Sequence, residues 1–209
     1  MKKDNILWIA LKKDGNMYTH KNGLTLKKLE KEDLEDLKNL KNESWFGTHN
    51  ITFVNSEDQL KWFNSLNSNK DIILIAYDSK TNQKIGLYKV NEIDWVNRKC
   101  SEGHDVFESA RGLGYGKILL EAGIDFVFEV LNMQRVEAEV LENNIASQKC
   151  CDYVGYIKEG VKRKAIHKCG EYLDSFMYGM LRSEWSQLER VKNYGNICNT
   201  SYVPKNNKK

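Results

Sequence analysis

Arg111-Gly112-Leu113-Gly114-Tyr115-Gly116 is a glycine-rich segment that stands directly before the most apolar helix pattern of the chain. That pattern runs from 114 to 131, and its polar residues recur every four positions as one narrow stripe: Lys117, Glu121, Asp125 and Glu129. Nearly every other position in it is apolar, which predicts a helix that is mostly buried against a sheet.

The position of this segment before a helix suggests what it binds. A glycine-rich turn at a helix N-terminus presents backbone N–H groups and a partial positive charge to phosphate oxygens. A dinucleotide fingerprint is excluded, because Lys117 and Leu119 stand where its last glycine is required. A Walker loop is excluded by Arg111 and Ile118. The remaining pattern, Arg-x-x-Gly-x-Gly, is read either as a phosphate-binding loop or simply as a tight turn between a strand and a helix.

Hydrophobic periodicity predicts a mixed α+β order around this segment. Apolar and polar residues alternate, or short apolar runs occur, in eight predicted strands: 6–12, 24–29, 72–77, 85–90, 99–107, 135–141, 161–165 and 175–181. Besides the buried helix, the spacing predicts helices over 31–42, 56–66 and 146–153, the second opened by a Ser56-x-x-Gln59 capping box and the third ended by Gly155.

A second motif follows the buried helix about 30 residues later. Asn144-Ile145-Ala146-Ser147 precedes Tyr153-Val154-Gly155-Tyr156-Ile157-Lys158-Glu159-Gly160. Together with Arg-x-x-Gly-x-Gly, this segment resembles the RimJ/RimL-like branch of the GNAT superfamily of N-acetyltransferases, over roughly 24–185. The resemblance implies a mixed, mostly antiparallel sheet of six to seven strands, flanked by helices, with splayed central strands. It also implies acetyl-CoA as cosubstrate and an acceptor that is an amino sugar, a protein N-terminus or another small amine.

The same resemblance assigns cosubstrate-binding positions. In the family, loop amides bind the pyrophosphate, an asparagine contacts the pantetheine arm, and the backbone of the splayed strand pairs with that arm. The matching residues here are Val106, Phe107, Arg111, Gly112, Leu113, Gly114, Tyr115, Gly116, Lys117 and Asn144.

Candidate catalytic groups lie on the predicted strand 99–107. Its even-numbered residues share one face, so Glu102 and His104 are expected to look toward the cosubstrate with Val106, and they are the candidate bases. The alternative is a surface glutamate and a hydrogen-bonded histidine. Many GNAT enzymes have a tyrosine acid four residues before the Gly-Phe glycine, and here that position is Cys151, either a proton donor or inert filling. Ser147 and Tyr153 are the other donors, and the acid stays unassigned.

The first two predicted helices carry candidate acceptor-binding residues. Trp45 and His49 lie in the loop between them, and Trp62 belongs to a Gln-x-x-Trp-Phe run similar to one in amino-sugar-nucleotide acetyltransferases. Aromatic packing of an amphipathic helix is the alternative explanation of that run. Because Cys151 departs from the family pattern, a non-catalytic acyl-CoA sensor or scaffold is the rival to the enzyme.

Composition narrows the class of protein. A chain of 209 residues suffices for one core, and 32 basic against 29 acidic residues do not predict a nucleic-acid binder. Five cysteines without a Cys-x-x-Cys predict reduced thiols and no metal site. No apolar run is long enough for a membrane span, so a cytoplasmic protein, monomer or homodimer, is expected. The predicted division is an extension over 1–22, a catalytic domain over 23–185 and a polar tail over 186–209.

Overall fold

The computed structural model describes residues 17–49 and 53–192. The predicted strand 6–12 and the tail beyond 192 lie outside the described residues. Within the described residues, no helix is both long and apolar enough to cross a membrane.

The strands form one mixed sheet in the order β1-β2-β3-β4-β5-β6-β8-β7. Their bounds are β1 Met17–Thr19, β2 Leu24–Lys28, β3 Ile72–Asp78, β4 Lys84–Asp94, β5 Lys99–Val106, β6 Arg135–Leu141, β7 Ile157–Lys168 and β8 Glu171–Leu181. All neighbours are antiparallel except β5 and β6, which are parallel. Each predicted strand that lies within the described residues is present, and the structure has one further short strand, β1.

The two central parallel strands separate after a short contact. β5 pairs with β6 only from Lys99 to Ser101, whereas it stays paired with β4 as far as Val106. The sheet therefore opens as a wedge between β5 and β6, as the splayed central strands of the prediction require.

Helices cover both faces of the sheet. Their bounds are α1 Leu34–Ser44, α2 Ser56–Ser65, α3 Tyr115–Glu129, α4 Ile145–Val154, α5 Arg182–Trp185 and α6 Glu189–Lys192, with single 3-10 turns at Lys31–Asp33, Trp45–Gly47 and Glu108–Ala110. Alternate residues of β3 separate the two cores: Ile73 and Ile75 pack with α1 and α2, while Leu74 and Ala76 belong to the larger core around α3.

The polar stripe of α3 is exposed at Lys117 but buried at Glu121 and Asp125. Asp125 is fully buried, and it accepts hydrogen bonds from Trp185 and Arg190 and pairs with His20. These contacts tie the residues before β2 and those of α5 and α6 to α3. The packed unit therefore extends from 17 to 192 among the described residues, beyond the predicted 23–185.

Two helix ends differ in detail from the sequence prediction. The capping box of α2 uses Asn55 and Asp58 instead of Ser56 and Gln59, because the helix begins one residue earlier than the predicted cap required. Gly155 ends α4 in the left-handed conformation, with φ of 96°, as predicted.

Candidate active site

The glycine-rich turn leads into α3 with its backbone amides uncovered. Gly112 and Gly114 have positive φ angles of 77° and 84°, which favour glycine, and a Cβ at either would meet nothing within 4 Å. Gly114 is the N-cap of α3 and supplies no side-chain cap, and the first turn carries no acidic residue. The amides at this helix start are thus open to an anion.

On the open edge of β5, side chains hydrogen-bond the backbone N–H and carbonyl of Val106. The N–H of Phe107 donates to Ile85 on β4, so by alternation the N–H groups of Val106 and His104 point away from β4, into the wedge. The Val106 N–H donates to Asp105 Oδ1 at 3.0 Å, and its carbonyl accepts from Arg111 Nε at 3.0 Å. An extended ligand can replace these two side-chain partners, since no neighbouring strand pairs with the Val106 N–H or carbonyl.

A first chamber of about 680 Å³ lies between the glycine-rich turn, β5 and α4. Its walls include most residues matched to the pyrophosphate and pantetheine positions: Val106, Arg111, Gly112, Gly114, Tyr115, Gly116, Lys117 and Asn144. Uncovered amides, two cations and an unpaired strand edge fit a long diphosphate ester, so these residues are suited to hold coenzyme A.

A second chamber, also of about 680 Å³, opens on the side of α1 and α2. Acidic side chains are numerous in its walls: Glu92, Glu102, Asp105, Glu137 and Glu139. The two chambers share a joint, defined by the residues that line both: Ser44, Gly47, Thr48, His104, Asp105, Asn144 and Ser147. A thioester at the joint would therefore face the second chamber.

His104 stands at the joint with a carboxylate and a thiol beside it. Its Nδ1 lies 3.8 Å from Glu102 Oε2, and both side chains are almost fully buried. Burial lowers the pKa of His104, but Cys150 and Glu102 outweigh burial and raise that pKa to about 10. The imidazole is thus held in its charged form at neutral pH, which suits a proton donor better than a base.

The candidate proton donors on α4 divide between the chamber wall and the core. Ser147 lines the joint, and Cys150 lines the first chamber. Cys151 is 1% exposed and lines neither chamber, and burial together with Glu102 raises the pKa of its thiol. Tyr153 is half-exposed, with Lys117 Nζ 5.1 Å from its ring centroid, and it also lies outside both chambers.

Three residues matched to the cosubstrate have side chains that either lie outside both chambers or make other contacts. Phe107 packs against the core under α1, and Leu113 is 69% exposed outside both chambers. The Asn144 side chain caps α4 through the Ser147 N–H and donates to the Gly47 carbonyl at 2.8 Å. Asn144 therefore joins α4 to the 3-10 turn that follows α1, in addition to lining the joint.

Two of the three predicted acceptor-binding residues line the second chamber, and one does not. His49 and Trp62 line the second chamber, and Lys41 Nζ lies 4.2 Å above the Trp62 ring. Trp45 lines neither chamber, because its ring packs on Phe46 and Phe53.

Two wall residues, Asp105 and Cys150, were missed in the sequence. Cys150 and Cys151 follow Ser147 by three and four positions on α4, so helical spacing places both near the face of Ser147 and does not choose between them. Asp105 points the opposite way from His104 along β5, and only the position of the second chamber gives it a role. Among the described residues, no group of three or more His, Cys, Asp or Glu side chains is placed to hold a metal ion.

Comparison with known proteins identifies related chains. The model of a family described as acetyltransferase (GNAT) domain matches residues 23–157. The uncharacterized N-acetyltransferase p20 of Bacillus licheniformis is 28% identical over 179 residues, covering 81% of this chain and 98% of that protein. The spermidine N(1)-acetyltransferase of Vibrio cholerae is 24% identical over 167 residues, covering 78% of this chain and 95% of that protein.

A solved structure shares the fold. The crystal structure of spermidine N-acetyltransferase from Vibrio cholerae in complex with CoA and spermine superposes with a TM-score of 0.74 at 22% identity, covering 78% of this chain and 98% of that chain. The splayed sheet predicted from the sequence is thus confirmed.

Proposed function

Since this chain belongs to the acetyltransferase (GNAT) family and is an N-acetyltransferase that uses acetyl-CoA, we propose that its acceptor is the primary amine of a small, multiply charged cation. The observation that carries the proposal is the joint between the two chambers. One chamber suits coenzyme A, and the other presents carboxylates to whatever approaches the joint.

The first chamber positions the cosubstrate. The amides of Gly114 to Gly116 bind the pyrophosphate at the start of α3, with Arg111 and Lys117 as its cations. The pantetheine arm takes over the Val106 N–H and carbonyl from Asp105 and Arg111. The His104 N–H, which also points into the wedge, then polarises the thioester carbonyl.

The charges of the second chamber favour a cationic acceptor. Five carboxylate residues line it, two of them already paired with cations outside the chamber, whereas Lys41 and Lys89 are its lysines among the described residues. The Trp62 face already accepts the Lys41 ammonium, which indicates that this ring can accept a substrate cation as well. Polyamines belong to this class, and the Vibrio cholerae relatives are named for spermidine.

Two other classes of acceptor, protein N-termini and amino sugars, are compared with polyamines in the test below. Protein N-termini are the acceptors that the RimJ/RimL-like resemblance implies, and amino sugars are those that the Gln-x-x-Trp-Phe run implies. Each of these amines carries one charge at its reacting nitrogen, whereas several carboxylates line the second chamber.

The test is thiol release from acetyl-CoA with a panel of amines: spermidine, a diamine, glucosamine and a peptide with a free α-amine. We expect the highest kcat/KM for spermidine or the diamine, with a KM that rises with salt. Asp105→Asn should raise the KM for the polyamine about tenfold, a loss of one charge–charge contact at the joint. Glu57→Gln, on the exposed face of α2, is the matched control. Preference for the peptide or for glucosamine would overturn the proposal.

A further inference from the structure

His49 follows the 3-10 turn after α1 and faces the second chamber. Its Nε2 lies 3.0 Å from Ser175 Oγ, and the fully buried Ser175 hydroxyl lies 3.3 Å from Glu139 Oε2. A carboxylate only accepts, so the single hydroxyl proton of Ser175 points to Glu139. His49 must then donate from Nε2–H to Ser175, so that when the imidazole is neutral its bare nitrogen is Nδ1.

The surroundings of His49 favour that neutral form. Burial lowers its pKa below the ordinary value, and the lysines that face it, Lys162, Lys89 and Lys168, act in the same direction against Glu139. The imidazole is thus a base that is free to accept a proton at neutral pH. His104, across the joint, is held in the opposite state by Glu102 and Cys150.

We propose that the two histidines divide the proton transfers: His49 accepts the proton of the incoming ammonium, and His104 gives a proton to the departing CoA sulfur. This assignment rests on the proposed function, and it replaces His104 as a base with His104 as the acid. Each histidine lies where its task requires, His49 in the wall of the second chamber and His104 at the joint where the thioester would lie.

The steps balance in atoms and charge. The ammonium loses one proton to His49 Nδ1, and the amine lone pair then forms the C–N bond with the acetyl carbonyl carbon. The C–S bond breaks, its electron pair stays on sulfur, and the sulfur takes a proton from His104. The new amide nitrogen loses its second proton to restore His104, and His49 returns its proton to solvent. The net products are the amide, CoA thiol and one proton.

Ser175 acts in this scheme as a positioning residue. Its hydroxyl fixes which nitrogen of His49 carries hydrogen, and it does so from a strand, β8, that does not line either chamber at that position. Ser175→Ala should lower kcat with little change in KM and let the other tautomer appear in the nitrogen spectrum of His49. Ser175→Thr keeps the hydroxyl and should restore both.

The experiment is a pH profile of kcat/KM for the best amine, with wild type, His49→Gln and His104→Gln. His49→Gln should lose about 100-fold or more in rate and lack the acidic limb, and His104→Gln should lack the alkaline limb. Both should bind acetyl-CoA with unchanged Kd. His167→Gln, an exposed ring on β7 outside the chambers, is the control and should match wild type.

A direct titration keeps the inference separate from the proposed function. Nitrogen-detected spectra of the labelled protein with CoA bound should show His49 titrating below its ordinary range and His104 near pH 10. Reversed titrations, or both limbs surviving in both variants, would overturn the division of roles even if the amine is acetylated. If the titrations agree but no amine on the panel reacts, the acceptor class is wrong instead.

Discussion

Arg190 Nη1 donates to both carboxylate oxygens of Asp125, at 2.7 Å and 2.9 Å. The Asp125 side chain is fully buried. Trp185 Nε1 donates to the same carboxylate at 2.7 Å, and His20 pairs with it at 3.0 Å. One residue of α3 therefore fixes both the chain before β2 and the chain after β8.

Asp125→Asn should destabilise the protein by about 3 kcal/mol, because it leaves the Arg190 charge partly buried without its counter-charge. Urea unfolding should show a lower midpoint at an unchanged slope. In a double-mutant cycle with Arg190→Gln, the coupling free energy should carry most of that loss. A coupling near zero would mean that the pair contributes nothing beyond its surroundings.

The same carboxylate predicts an acid limb of stability. Burial raises the pKa of Asp125, but His20, Arg190 and Trp185 outweigh burial and hold that pKa below its ordinary value. A depressed pKa stabilises the folded state above the ordinary carboxyl range and loses that contribution as pH falls through the folded value. The stability gap between wild type and Asp125→Asn should therefore narrow below about pH 4.

The pKa of Glu129 is shifted in the opposite direction from that of Asp125. Burial and the neighbouring Asp125 raise its pKa to about 7, so the folded state holds a proton that the unfolded chain has already lost. Stability should fall as pH rises from about 4.5 to 7. Glu129→Gln should remove this loss: its urea midpoint should exceed that of wild type at pH 8 and equal it at pH 5. Glu189→Gln, exposed on α6, is the control, and an equal gain there would point to net charge alone.

Local patterns made the sheet and α3 predictable, whereas contacts between distant segments could not be read from the sequence. Arg135–Leu141 alternates clearly, and the structure has that strand with the predicted bounds. β1 is three residues long, and β7 is a basic, exposed edge strand, so neither carries a full alternation signal. The His49–Ser175 contact joins positions 126 residues apart, which no spacing rule connects.

The turn before α3 was predictable for a different reason. Closely spaced glycines mark a tight turn, and two of them, Gly112 and Gly114, take the positive φ that favours glycine. The direction of a side chain on α4 depends on helix rotation, and an offset of one residue separates Cys150 in the chamber wall from Cys151 in the core. A motif match therefore does not decide which of two adjacent residues on a helix faces the chamber.

Tyr88 and Gly123 predict a packing constraint on α3. A Cβ built on Gly123 overlaps the Tyr88 ring, which is fully buried on β4 beneath the helix. Gly123→Ala should therefore destabilise the protein by about 1–3 kcal/mol, although alanine alone favours a helix interior by about 1 kcal/mol. In a Tyr88→Leu background the same change should become neutral or stabilising by urea unfolding. Equal losses in both backgrounds would exclude the overlap as the cause.

Gly114→Asp tests the phosphate-binding role of the turn. The variant places a carboxylate at the N-cap of α3, where the pyrophosphate is proposed to bind, so calorimetry should show that acetyl-CoA affinity is lost. Gly114 has φ of 84°, so strain must be separated from charge. Gly114→Asn is the matched control, because asparagine has nearly the same shape, adopts that conformation more readily than most residues and carries no charge. If Asn lowers affinity as much as Asp does, backbone strain is responsible; if neither lowers it, the diphosphate binds elsewhere.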